Sequence, residues 1–276
     1  MKNWWAYQFI FVLTALLSTM NASSADTFRV KVNRWLEVRR SVGQVFYVKG
    51  QTSQPVKSGL RLTSVGDTIV TKEGASAVLA LDIGTGFVNI AENTIVSVNK
   101  LEKEGKGGRV TQLLVKTGQV RLQLRRLTHD TSRVEISTPA GVAGVRGTIF
   151  GVSVQDNGKT GIGTKEGSVA TSAQGKTVLV KAGFQNLTIP GEPPTPPVPL
   201  RDNPGLNIIQ LVANGNQVRV VGTVDPVNLV KVFQQPINIE PTGKFDITVP
   251  LPPNLQVEAE VITPLGTQQP YQLAVP

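Results

Sequence analysis

The chain has 276 residues, no cysteine, a single histidine (His129) and a formal net charge of +9. That length is enough for about two domains. The absence of cysteine excludes disulfide frameworks and thiolate metal sites, and one histidine excludes most zinc sites, which use several His or Cys ligands. We therefore expect neither a metal nor a cofactor.

The first residues have the pattern of a secretory signal peptide. Lys2 precedes an apolar run over residues 9–17, and the small side chains of Ser23-Ser24-Ala25 follow. We predict a leader over residues 1–25, with an uncleaved anchor as the alternative because aromatic residues extend the apolar block. No later segment reaches the roughly 20 apolar residues of a membrane-spanning helix. The sequence predicts a periplasmic or secreted protein of the cell envelope.

The charge is unevenly distributed along the chain. Residues 26–189 contain 23 Lys and Arg against 12 Asp and Glu, a net +11, whereas residues 190–276 contain 4 against 7, a net −3. A basic body attracts anionic polymers or lipid head groups through long-range electrostatics. The expected partner is an envelope protein or an anionic polysaccharide such as peptidoglycan, and not nucleic acid. The alternative is a merely solvated basic face.

A proline-rich segment divides the chain into two parts. Six prolines fall between Pro190 and Pro199, and such a run favours an extended polyproline II conformation. The sequence predicts a semi-rigid linker over residues 190–203, outside any sheet, between domains at 26–189 and 204–276.

Both parts have the patterns of an all-β fold. Leu113 and Val115, then Val120, Leu122 and Leu124, alternate with polar residues around a break at Thr117-Gly118, which is typical of half-buried strands. Asp156-Asn157-Gly158-Lys159 predicts a hairpin turn. The one helical turn expected lies at residues 33–40.

The second part predicts a β-sandwich of immunoglobulin-like size. It contains about seven short strands separated by turns such as Asn214-Gly215 and Thr242-Gly243. The predicted strands are residues 208–212, 217–223, 229–233, 237–239, 244–249, 256–262 and 271–275.

Signatures of catalysis are missing from the sequence. It contains no Gly-x-Ser-x-Gly elbow, phosphate-binding loop or histidine-based metal motif. Several acidic residues lie beside Gly or Asn, where carboxylates form turns by bonding local backbone; they are Asp67, Asp82, Glu92 and Glu166. We expect no catalytic residue and no enzyme, with a carboxylate pair acting in sugar chemistry as the alternative.

The densest basic cluster consists of four arginines: Arg121, Arg125, Arg126 and Arg133. Guanidinium groups bind phosphate or carboxylate groups through paired hydrogen bonds. These residues are therefore candidates for anion binding. The alternative is that they protect an edge strand against aggregation.

Residues 137–152 combine glycine with β-branched residues. Pro139 cannot donate to a ladder and predicts a corner, and Gly141, Gly144 and Gly147 allow close backbone approach or positive φ. We expect Thr148–Val152 to form a strand with Phe150 in the core, and the Arg146 guanidinium to bridge neighbouring turns through backbone carbonyls.

The sequence from about residue 40 to residue 185 resembles the FecR family of bacterial envelope proteins. The strongest part of the resemblance is the core Arg-Gly-Thr-x-Phe at residues 146–150. The matching segments are residues 77–84, 92–94, 118–120, 138–152, 165–169 and 181–183. The family-motif residues, with an expected structural role, are Pro139, Gly144, Arg146, Gly147, Thr148, Phe150, Glu166 and Gly167.

The resemblance implies a periplasmic all-β domain, a sandwich or roll of short strands. Family regulators of ferric-citrate uptake sense a loaded outer-membrane transporter and control a sigma factor. From this sequence we expect no cytoplasmic domain before the apolar segment, and the second part is similar to bacterial immunoglobulin-like repeats through residues 222–225 and 242–245. We expect a non-enzymatic binding or sensory module; the alternatives are iron-responsive signalling with a separate sigma-factor system and an envelope glycan-binding or glycan-processing protein.

Overall fold

The computed structural model describes residues 34–82, 84–104 and 107–276, and the predicted leader lies outside them. These residues form 24 strands and no α-helix. The strands are β1 Leu36–Val42, β2 Val45–Lys49, β3 Thr52–Pro55, β4 Arg61–Leu62, β5 Thr68–Thr71, β6 Ser76–Leu81, β7 Gly86–Ile90, β8 Ile95–Glu104, β9 Gly108–Leu124, β10 Arg133–Thr138, β11 Gly141–Val145, β12 Ile149–Val154, β13 Thr160–Glu166, β14 Ser168–Ala173, β15 Lys176–Lys181, β16 Phe184–Thr188, β17 Val198–Pro199, β18 Asn207–Asn214, β19 Gln217–Thr223, β20 Leu229–Val232, β21 Gln235–Ile237, β22 Lys244–Pro250, β23 Gln256–Ile262 and β24 Gln268–Ala274.

Strands β1 to β17 form a first body of two sheets. One sheet has the order β4-β1-β6-β7-β9-β12-β13-β16-β17. The other has the order β3-β2-β5-β8-β9-β10-β11-β14-β15. The β9–β10 pair is parallel and the other pairs are antiparallel. Strand β9 belongs to both sheets.

A sharp bend in β9 lets this strand cross from one sheet to the other. Residues 108–117 pair with β8, whereas residues 118–123 pair with β12 and residues 120–124 pair with β7. Gly118 lies at the junction with φ +95°, and a Cβ there would lie 2.6 Å from the Cα of Thr94. Only glycine fits this close approach, which accounts for the break predicted at Thr117-Gly118.

The core of the first body lies between its two sheets. Alternate residues of β9 face inward, and Leu113, Val120 and Leu122 are at most 1% exposed.

The all-β prediction is confirmed. The helical turn expected at residues 33–40 is wrong, because this segment enters β1, where Leu36 and Val38 pair with β6 and pack into the core. The β-branched valines of β1 favour a strand.

Strands β18 to β24 form a second body of two smaller sheets. Their orders are β18-β19-β22 and β21-β20-β23-β24. Alternate side chains of both sheets, including Val218, Phe245 and Val257, bury a separate core. The seven observed strands correspond to the seven predicted segments, with ends that differ by a few residues.

The proline-rich segment packs against the first body. Val198 and Pro199 form β17, which pairs with β16, and the Thr195 amide donates to the Leu187 carbonyl at 2.9 Å. The expectation that this segment stays outside the sheets is therefore wrong. Pro199 is accommodated because β17 is an edge strand, where a missing N–H leaves no ladder bond unmade.

Glycines of β12 and β13 accommodate the second body on the outer face of the first. A Cβ at Gly151 would lie 2.9 Å from the Leu265 amide nitrogen, and one at Gly161 would lie 2.6 Å from the Val227 carbonyl oxygen. The Gln119 side-chain amide donates to the Pro264 carbonyl at 2.7 Å. Lys231 is buried and forms ion pairs with Glu92 of the first body and Glu260 of the second. The two bodies thus share a polar, close-packed contact.

A second lysine, Lys159, is buried in the same contact. Its ammonium donates to the carbonyls of Ile239 at 2.6 Å and Glu240 at 3.0 Å. Burial disfavours the charged form and lowers the pKa of Lys159 to about 8, although the charge of Glu240 opposes the shift. An unfolded lysine has a pKa of about 10.4. Above pH 8 the unfolded state therefore binds more protons than the folded state.

We expect the free energy of unfolding to rise as the pH increases from about 8 towards about 10.4, because the unfolded chain binds the extra proton. Lys159→Met removes this titration and flattens the rise. Urea unfolding of both proteins below about pH 10 measures the difference. The upper limit avoids the opposing effect of Tyr47, whose pKa is raised to about 12 by burial and by Asp67. Identical pH profiles for the two proteins would contradict the burial of this charge.

No helix among residues 34–82, 84–104 and 107–276 has the length and apolar character needed to cross a membrane.

Candidate anion-binding cleft

Five arginines line one open cleft at an end of the first body. The cleft has a volume of about 370 Å³, and we refer to it as the arginine cleft. Among the described residues, its basic lining consists of Arg34, Arg109, Arg125, Arg126 and Arg133, with His129, Ser132, Thr85 and Thr128 between them. Three of the four candidate arginines predicted from the sequence therefore lie together.

The bend in β9 brings the distant members of the arginine cleft together. Arg109 lies at the start of β9 and Arg125 directly follows its end. A straight strand would separate two residues 16 positions apart by about 50 Å. Because the strand bends sharply at Gly118, its first and last residues lie close together, at the end of the first body that is opposite Gly118.

Two of the five arginines are already neutralised by carboxylates. Arg34 donates to Asp82 at 2.7 Å and also to the backbone carbonyls of Glu102 and Val110. Arg133 forms ion pairs with Glu135 at 2.8 Å and Glu104 at 2.9 Å, whose hydrogen bonds raise its pKa. Arg34 therefore has a structural role at the floor of the cleft, and Arg133 has limited capacity for a further anion.

The other three arginines carry unused hydrogen-bonding capacity. Within the described part of the chain, the guanidinium groups of Arg109, Arg125 and Arg126 make no hydrogen bond and no ion pair, and all three residues are exposed. Each guanidinium offers five N–H donors in a planar fork that matches a carboxylate or phosphate. These three arginines therefore give the cleft positive charge and hydrogen-bond donors that no acceptor among the described residues takes up.

The Arg-Gly-Thr motif fixes the backbone that carries two of these arginines. The Leu124 amide donates to the Thr148 carbonyl at 3.0 Å, and the Leu127 amide donates to the Arg146 carbonyl at 2.8 Å. Gly147 has φ +131°, and a Cβ there would lie 2.8 Å from the Arg126 amide nitrogen. This close approach requires glycine, so the motif positions Arg125 and Arg126.

Arg146 holds the next part of the cleft wall. Its guanidinium donates to the His129 carbonyl at 3.1 Å and lies 3.6 Å from the Asp130 carboxylate. We expect Arg146 to bridge neighbouring turns through backbone carbonyls, and the structure shows one such bond, to the His129 carbonyl. The motif therefore supports the arginine cleft, although its own side chains do not line it.

The remaining motif residues have packing roles. Phe150 is fully buried in the core, as predicted. Pro139 occupies the turn between β10 and β11, beside Gly158 of the predicted hairpin. Glu166 ends β13, and Gly167 follows with φ +75° against Thr148, which is buried.

Gly144 differs from its neighbours in the motif. Its φ is not in the left-handed region, and the nearest atom to an added Cβ would be the Ala170 carbonyl oxygen at 3.9 Å. The expectation of a close approach or positive φ is therefore wrong at Gly144. It holds at Gly147.

Arg121 does not line the arginine cleft. It lies within β9 between Asn89 of β7 and Gly151 of β12, and its buried Nε has no hydrogen-bond partner in the described residues. Arg125 follows the end of the same strand and is free to turn towards the cleft. Of the four predicted arginines, Arg121 therefore lies within a sheet, whereas Arg125, Arg126 and Arg133 line the arginine cleft.

The sequence reasoning missed Arg34 and Arg109. Arg109 precedes Gly118 by nine residues and Arg125 follows it by seven. A strand folded at this glycine brings the two arginines to one end, so the break at Gly118 was a usable signal. No sequence pattern places Arg34 in the cleft, because its ion pair with Asp82 depends on how the strands pair in the sheet.

Metal-ligating residues do not cluster in the described part of the chain: no group of three or more His, Cys, Asp or Glu side chains there is arranged to hold a metal ion.

Residues 67–170 match the family model described as FecR protein. This segment contains the Arg-Gly-Thr motif, the bend of β9 and all of the cleft arginines except Arg34. No curated protein matches the chain.

Three solved structures show similarity to this chain at low identity. Two are crystal structures of a candidate anti-sigma factor from Parabacteroides distasonis, at 12% identity and TM-scores of 0.39 and 0.40, covering 48% of this chain and 59% of that chain. The chain thus spans 59% of the length of that protein. The third is the polysaccharide lyase BACCELL_00875, at 12% identity and a TM-score of 0.21, covering 88% of this chain and 40% of that chain.

Proposed function

We propose that this protein is an exported, non-enzymatic binding and sensory module of the FecR type, which holds an anionic envelope partner in the arginine cleft. The observation that carries the proposal is that one cleft holds three exposed guanidinium groups that no side chain or carbonyl among the described residues pairs with. The match of residues 67–170 to the FecR family supports an envelope location and a signalling context.

The lining of the cleft favours recognition by charge over recognition by stacking. Among the described residues that line it, the only aromatic ring is the His129 imidazole and the only carboxylate is that of Asp82. Because Arg34 neutralises Asp82, an incoming anion meets little repulsion. An anionic polysaccharide, or the carboxylates of peptidoglycan, would supply the missing acceptors.

We expect the protein to bind insoluble peptidoglycan or a polyuronate at low salt, and the double variant Arg125→Gln/Arg126→Gln to bind at least about tenfold more weakly, equivalent to about 1.4 kcal/mol. Cosedimentation measures the bound fraction. Binding should fall between about 0.1 M and about 1 M salt, because exposed charges are screened.

The matched control for this experiment is Arg40→Gln/Lys181→Gln, which removes two exposed positive charges outside the cleft. The control should bind like the unmodified protein. Equal weakening by both double variants would show that net charge alone drives binding, and no binding of either polymer at low salt would remove support for the proposal.

A second candidate is a role in iron-responsive signalling with a separate sigma-factor system. The match to the FecR family model favours it. This function predicts neighbouring genes for a sigma factor and an outer-membrane transporter, and copurification with one of their products. A gene neighbourhood without both would count against it.

A further inference from the structure

The edge strands of the four sheets are protected to different degrees. An edge strand presents unpaired N–H and C=O groups that can pair with another chain, and proteins protect such edges with proline, with charged side chains, or by making the strand short. In the described residues the eight edge strands are β4 and β17, β3 and β15, β18 and β22, and β21 and β24.

Seven of these eight edges carry proline, lysine or arginine. The protecting residues are Arg61 in β4, Pro199 in β17, Pro55 in β3, Lys176 and Lys181 in β15, Lys244 and Pro250 in β22, Pro236 in β21 and Pro270 in β24. Strand β18 has none of them. It is also the longest edge, with eight residues of sequence NIIQLVAN and no charge.

Strand β18 also exposes apolar side chains. Ile209 is 59% exposed and Val212 is 45% exposed. An irregularity between Ile208 and Gln210 interrupts the start of the strand, and such a bulge is itself a protective device. Residues 210–214 nevertheless pair with β19 in regular register. The backbone N–H and C=O groups on the free side of this uncharged five-residue segment can therefore pair with another strand.

We propose that β18 pairs with β18 of a second copy of this chain in antiparallel orientation. The two three-stranded sheets then form one six-stranded sheet across a two-fold axis. Such an axis at Val212 places Val212 opposite its own copy and Gln210 opposite Asn214, so the regular segment is complementary to itself.

The charge distribution favours a second copy as the occupant. Residues 26–189 carry a net charge of +11 and residues 190–276 a net charge of −3, so the first bodies of two copies repel each other, whereas the second body that carries β18 is close to neutral. The neutral β18 brings together no like charges, which are destabilising when directly opposite in a sheet. A two-fold axis is also the commonest symmetry among homo-oligomers.

Sedimentation equilibrium of the purified protein tests the proposal. We expect a concentration-dependent dimer with twice the 29.6 kDa mass of one chain. Val212→Lys should raise the dissociation constant at least about tenfold, because two ammonium groups would face each other across the axis. The control Leu179→Lys places a lysine at a residue that is 50% exposed on the protected edge β15 and should leave the dissociation constant unchanged. Equal thermal unfolding of the two variants shows that both are folded.

A monomer at every concentration would overturn the proposal, as would a Val212→Lys protein that dimerises like the unmodified protein.

Cross-linking tests which residues of the two β18 strands lie opposite each other. The chain has no cysteine, so Val212→Cys introduces a single thiol. Residues directly opposite in antiparallel strands have Cα atoms about 4.5–5.5 Å apart, within the range of a disulfide. We expect Val212→Cys to form a covalent dimer on oxidation and Leu179→Cys to remain monomeric; the reverse pattern would place the contact elsewhere.

Discussion

Replacing Phe150 by alanine should lower the free energy of unfolding by about 3–5 kcal/mol, the usual cost of removing a buried aromatic ring. Phe150 is fully buried, lies on β12 between Leu122 of β9 and Thr164 of β13, and contributes to the core between both sheets. The loss combines the transfer of the ring to water with the cavity it leaves. Urea unfolding followed by far-UV circular dichroism measures it.

Phe87 provides the matched control. It lies on β7 of the same sheet but is 45% exposed, so Phe87→Ala should change the free energy of unfolding by about 0.5 kcal/mol or less, as is typical of surface sites. Similar losses for the two alanine variants would contradict the core position of Phe150.

Gly147→Ala should both destabilise the protein and weaken anion binding. At φ +131° an alanine is strained by about 1–3 kcal/mol, and its Cβ would overlap the backbone of Arg126. The segment carrying Arg125 and Arg126 must then move away from the motif. We therefore expect peptidoglycan binding to fall about as far as in the Arg125→Gln/Arg126→Gln variant.

Gly144→Ala is the control for Gly147→Ala. Gly144 belongs to the same motif, but an added Cβ would make ordinary contact at 3.9 Å and φ is not left-handed. Stability and cosedimentation should both be unchanged in this variant. A Gly147→Ala protein with unaltered binding would show that the motif does not position the arginines.

Much of the fold could be predicted from local patterns. The alternation along β9, the hairpin at residues 156–159 and the seven strands of the second body follow from side-chain period and turn chemistry. The strand at residues 36–42 does not follow from local pattern, because its two valines are a weak signal and its strand conformation depends on pairing with β6. The proline-rich segment was expected to stay apart because the edge position that accommodates Pro199 is not visible in the sequence.

The arginine cleft could be predicted in part. Arg125, Arg126 and Arg133 are close in sequence and indicated a basic cluster, but Arg109 joins them through the folding of one strand. Arg121 belonged to the same cluster by sequence and lies elsewhere, because a strand directs neighbouring positions to different surroundings. The support that Gly147 gives to Arg126 depends on contact between two segments about 20 residues apart, which local patterns do not encode.

The membership of β9 in both sheets has a consequence for cooperativity. A cut anywhere within β9 would remove a central strand from at least one sheet, so neither sheet is a separable folding unit. Amide protons on both halves of the strand should therefore exchange with solvent only when the whole first body opens. The distance between Arg109 and Arg125 is then maintained by the global stability of the body, and a ligand that spans the two arginines would slow exchange throughout both sheets.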